Sequence, residues 1–155
     1  MAFTIDMSAA ARRNLDAAIK LEEASRQVAA SYLFGIAAEC AIKAMISELG
    51  LSLPKERAED PRYAHFPELL TLLRDQMSGR RSGGLLRYVE DQNFFQGWSI
   101  KIRYSDGKNF NSNWLKSWSQ QARDVVGLLF VPIQFAMLIL IVEKLARVVA
   151  ANLRP

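Results

Sequence analysis

The sequence predicts an all-α fold, an antiparallel bundle of four to six helices forming one domain over residues 1–155. Three observations predict it. The chain has 155 residues, 50% apolar and 23% charged, which is the balance of one globular domain with a real core. Its apolar residues recur mostly at helical spacing. Alternating patterns are scarce, and Trp98-Ser-Ile-Lys-Ile102 is the only short strand candidate. Helices that each carry an apolar side bury it most simply against one another.

The first helix is expected from Ser8, a good N-cap, to about Glu22, with Leu15, Ala18, Ile19 and Glu22 on one side. A second follows from about Ala24 to Leu49, either after a tight turn or as one kinked rod. Its stripe is Val28, Ala29, Tyr32, Leu33, Ile36, Ala37, Cys40, Ala41, Ala44 and Met45, and Gly50 closes it. Residues 51–64 read as a loop with two prolines. A third helix opens near Pro67 and buries Leu69, Leu70, Leu72 and Leu73. The breaker cluster Gly79-Arg-Arg-Ser-Gly-Gly84 precedes a short helix with Leu85, Leu86, Tyr88 and Val89. Asp106-Gly107 marks a turn, and Ser112 to Asn152 is helical, kinked or divided at Pro132.

The net charge of +4 favours an acidic partner such as RNA only mildly, because a solvated basic surface has the same signature. The single cysteine, Cys40, allows no intrachain disulfide, which fits a reducing, cytoplasmic setting. One cysteine and one histidine, His65, rule out cysteine- and histidine-built metal sites, and no cofactor is expected. The opening Met1–Ser8 has neither the basic nor the apolar region of a secretion signal. The run 125–142 has one strongly polar residue, Gln134, and is long enough for a membrane span. Pro132 and Gln134 near its middle, and basic residues on both flanks, argue instead for a central bundle helix or a dimer face.

The segment Ser31-Tyr-Leu-Phe-Gly-Ile-Ala-Ala-Glu-Cys-Ala-Ile-Lys-Ala-Met45 resembles the second helix of HEPN domains (higher eukaryotes and prokaryotes nucleotide-binding). Gly35, Ala37, Ala38, Glu39, Cys40, Ala41, Lys43 and Ala44 fit the pattern of one large bacterial branch. His65-Phe-Pro-Glu-Leu-Leu70 and Trp98-Ser-Ile-Lys-Ile-Arg-Tyr104 resemble its next two landmarks, in order, so the likeness covers about residues 12–105. It implies a HEPN-like helical bundle, a homodimer, RNA as a ligand, a nucleotidyltransferase-like antitoxin partner, and a bacterial defence, stress or toxin–antitoxin setting. Many HEPN proteins are ribonucleases with an arginine four to six residues before a histidine. Here Arg103 is followed by no histidine, Arg62 lies too close to His65, and Arg57 too far from it.

Glu39 and Lys43 are four apart and share a helix face in the favourable order. Among apolar neighbours one or both are expected to be partly buried and to need a partner, and the resemblance suggests Arg103. Cys40 lies on the apolar stripe and reads as a small core residue, not a nucleophile. His65 is either a packing and capping histidine or a general acid–base group. Between 87 and 118 aromatic and basic residues interleave: Arg87, Tyr88, Phe94, Phe95, Trp98, Lys101, Arg103, Tyr104, Lys108, Phe110, Trp114, Lys116 and Trp118. Such a mixture either stacks bases and holds phosphates or is core with wet lysines. The resulting expectation is a non-catalytic, RNA-associated or protein-interaction module. The alternatives are a divergent metal-independent ribonuclease around Arg103 and Tyr104, with or without His65 from the other subunit, and a small helical membrane protein with a span at 125–142.

Overall fold

The structure, a computed structural model, describes residues 3–50, 54–77, 83–108 and 110–130. These residues form five α-helices, one 3₁₀ segment and no strand. The expected helix beyond residue 130, with Pro132 and most of the 125–142 run, lies outside them, as do residues 51–53 and 79–82.

Helix α1 spans Met7–Glu23. Its N-cap is Asp6, whose carboxylate accepts the Ala9 amide at 2.8 Å, so the helix begins before the expected Ser8. Ala11 and Ala18 are buried on its inner side, with Leu15 and Ile19 packed beside them. It ends in a tight turn. The Ser25 amide donates to the Glu22 carbonyl at 3.0 Å and the Arg26 amide to the Leu21 carbonyl at 2.8 Å. Ser25 takes the left-handed conformation, φ 60°, that this closing motif requires. The first two helices are therefore a hairpin, not a kinked rod.

Helix α2, Gln27–Glu48, is the centre of the molecule. It was expected to show one apolar stripe, but it is buried almost all round. From Phe34 to Ile46 only Ile36 and Cys40 escape burial, while Ala29 of the expected stripe is exposed. The cause is that α1, α5 (Ser112–Leu128) and the 3₁₀ segment Ile100–Tyr104 all pack on it. The small side chains of Ala30, Ala37, Ala38, Ala41 and Ala44 let these neighbours approach closely. Among the described residues it is also the one helix long and apolar enough to cross a membrane, and most of it is buried inside the bundle.

Helix α5 is capped by Asn111 and buries Leu115, Trp118, Ala122, Val125 and Val126. It ties to α1 through Glu22, which accepts from Arg123 at 3.1 Å and from Ser119 at 3.2 Å. Helices α3 (Glu68–Met77) and α4 (Gly83–Glu90) form a second pair, linked where the Arg74 Nε donates to the Val89 carbonyl at 2.6 Å. An aromatic cluster joins this pair to the bundle. Phe66 stacks on Phe95 at 5.2 Å and meets Phe94 and Trp98 edge-on, and Tyr88 leans on Phe94. Each such contact adds about 0.5–1.5 kcal/mol beyond its area. From α5, the Gln121 side chain accepts the Phe95 amide, and the Trp118 indole donates to the Gln96 carbonyl, holding this loop in place.

Candidate functional site

The site is built along one edge of α2. Glu39 is 2% exposed, deep in the helix interface. Its carboxylate accepts the Phe66 amide at 2.8 Å through one oxygen, and lies 2.7 Å from the His65 Nδ1 through the other. The Lys43 ammonium, also buried, stands 4.0 Å from that second oxygen. So Glu39 has the partner that burial demands, but it is His65 and Phe66, not the Arg103 that the resemblance suggested. The connecting loop makes this contact. Arg62 grips the buried Asp60 at 2.6–3.0 Å, and this hydrogen bonding holds the Asp60 carboxyl below its ordinary range. Three residues on, the His65 carbonyl accepts the Leu69 amide and opens α3.

With its Nδ1–H donated to the Glu39 carboxylate, a neutral His65 ring leaves Nε2 as an acceptor. The side chain is 47% exposed. His65 thus serves the start of α3 through its backbone carbonyl, while its ring is oriented by the buried Glu39 carboxylate.

Arg103 sits elsewhere on the same edge. The Tyr32 hydroxyl beside it, and then Tyr104, hold its pKa above that of an ordinary arginine. The guanidinium lies over the Tyr104 ring at 4.7 Å. Tyr32 and Glu39 are seven residues apart, nearly in line on the helix, and about 10 Å apart along its axis. Trp98 lies between them. Its indole stacks with Tyr32, donates to the Ser31 carbonyl at 2.9 Å, and crosses Gly35 so closely that a Cβ there would fall 1.9 Å from the ring. The stretch 98–102 is therefore not a strand. Trp98 anchors a 3₁₀ turn that Ser99 caps by accepting the Lys101 amide. The structure thus gathers Glu39, Lys43 and His65 at one point and Arg103 with Tyr104 at another.

The interleaved aromatic and basic residues divide in two. Tyr88, Phe94, Phe95, Trp98 and Trp118 are core. Arg87, Lys101, Arg103, Tyr104, Lys108, Trp114 and Lys116 are exposed, and Phe110 between them is half-buried. Cys40 is half-buried, and burial first, then Glu39, pushes its thiol pKa up against the opposing pull of Lys43 and Arg13. Alkylation of Cys40 in the folded protein near pH 7.5 is expected to run at least about tenfold slower than in the urea-unfolded chain, because the thiolate is the nucleophile. Equal rates would contradict the core assignment. Among the described residues no cluster of histidine, cysteine and acidic side chains could hold a metal ion. No protein-family model, curated protein or solved structure matches the chain.

Proposed function

We propose that this chain is a HEPN-like helical module that associates with RNA and does not itself cleave it. The observation that carries the reading is the exposed half of the basic and aromatic mixture, Lys101 to Lys116. There Tyr104 is 76% and Trp114 43% exposed, among four cations. Asp106, the acidic residue within this stretch, is engaged by Lys108 at 3.4 Å. Exposed rings among cations supply stacking surface and phosphate contacts together, which is what sequence-tolerant RNA binding uses. Within one chain, the separation of Arg103 from His65 along α2 weighs against catalysis, since a phosphoryl transfer needs both groups on one phosphate. The setting that the resemblance implies, a bacterial defence or toxin–antitoxin module, belongs to the same proposal.

The test is fluorescence anisotropy with labelled RNA over a salt series. Binding is expected to weaken as salt rises, and Arg103→Ala is expected to flatten the log–log slope by about one. RNA binding that is absent, or indifferent to salt, would sink the proposal.

One observation favours a second reading, the divergent ribonuclease. His65 carries an Nε2 that a buried carboxylate orients, the arrangement a general base needs. On this reading wild-type protein cleaves RNA in excess chelator, and both His65→Ala and Arg103→Ala abolish the cleavage. No cleavage by the wild type removes it.

A further inference from the structure

The Tyr104 ring is built as a fixed surface feature. On one side it carries the Arg103 guanidinium at 4.7 Å, and at 76% exposure its other side is open. Arg103 is itself kept beside Tyr32 on α2. The 3₁₀ turn bearing both residues hangs from Trp98, which is buried against Gly35 and hydrogen-bonded to the Ser31 carbonyl. An aromatic ring on so short and anchored a turn loses little freedom when something stacks on it. A 3₁₀ turn has three residues per turn, so Lys101 and Tyr104 share one face of it. A ring with one free face, an arginine behind it and a lysine in line fits one base and its phosphate.

We infer that Tyr104 is a stacking platform for an unpaired base, so that the ligand of this surface is single-stranded RNA and not a duplex. The inference rests on the RNA reading above and names the class of RNA. In a duplex each base face is already covered by its neighbours, leaving nothing for the ring to stack on; only the phosphates stay accessible.

The experiment compares wild type, Tyr104→Phe and Tyr104→Leu on a labelled single strand of about 12 nucleotides, a length within the usual site sizes, and on the same strand annealed to its complement. The single strand is expected to bind at least about tenfold tighter than the duplex. Tyr104→Phe keeps the ring and the affinity. Tyr104→Leu loses the stack and binds the single strand about 5- to 150-fold more weakly, with an unchanged salt slope. Because Tyr104 is exposed, both variants should melt like wild type, which separates loss of the platform from loss of the fold. Equal affinity for the duplex, or wild-type binding by Tyr104→Leu, overturns the inference and leaves the RNA reading standing. Failure of every form to bind either RNA fails the RNA reading itself.

Discussion

Glu39→Ala is expected to cost about 3–5 kcal/mol of folding stability, because it leaves the buried Lys43 without a countercharge and the Phe66 amide without an acceptor. For a domain of this size that lowers the melting temperature by roughly 10 °C. Glu39→Gln keeps the shape and an acceptor for Phe66 but also removes the countercharge of Lys43, so it should be milder than Glu39→Ala by only about 1–2 kcal/mol. Adding Lys43→Met to Glu39→Ala removes the stranded charge and should recover a large part of the loss, since an apolar replacement of a buried pair is often neutral. Urea denaturation of the four proteins checks the pattern. If Glu39→Ala falls within about 1 kcal/mol of wild type, the cluster carries no such energy and its charges are better solvated than their burial indicates.

Gly35→Ala is the second large effect. The new methyl would overlap the Trp98 indole, at 1.9 Å from Cε2 and 2.2 Å from Nε1. The ring cannot withdraw without stretching its bond to the Ser31 carbonyl. Overpacking costs about 1–3 kcal/mol and the strained hydrogen bond about 1 kcal/mol, against a gain of about 1 kcal/mol in helix propensity. The net expectation is a loss of about 1–3 kcal/mol. The same substitution displaces the 3₁₀ turn, so on the proposed RNA reading affinity should fall with stability. A Trp98→Phe change made in the Gly35→Ala background should cost less than the two changes summed, as residues in contact do. A Gly35→Ala protein that melts at the wild-type temperature would show that the indole has room to move.

Much of this was legible in the residues. Apolar periodicity announces the helices found at 7–23, 68–77 and 83–90, though Asp6 and not Ser8 caps the first, and the Glu39–Lys43 spacing with apolar neighbours announces a buried charge that needs a partner. Which partner was not legible. His65 is 26 residues away, and only the path of the 54–66 loop, held by Asp60 and Arg62, brings it to Glu39. The stripe drawn on α2 was too narrow, because three different elements cover the helix and a helix apolar on several sides has no single face for a period to reveal. The five residues from Trp98 alternate like a strand, but a run that short does not separate strand from turn. The Ser99 cap and the smallness of Gly35 are the signals that point to the observed geometry, and the second is meaningful only once Trp98 is seen lying on it.

Helix α2 spends nearly its whole circumference on packing, and this divides the molecule's tolerance for change into two regimes. Within Phe34–Ile46 almost every position has a neighbour at van der Waals distance, so a larger side chain has nowhere to go and a smaller one leaves a void. The groups that face the solvent, His65 and the 3₁₀ turn with Arg103 and Tyr104, belong to short connecting segments that merely lean on the helix. Substitutions there alter what the surface presents without asking the core to repack. Such a chain can change its ligand preferences quickly over descent while its central rod stays nearly fixed. The positions to randomise in a search for altered binding are therefore the exposed Lys101, Arg103, Tyr104 and Lys108, not Ile102, which packs on the core, nor the helix that carries them.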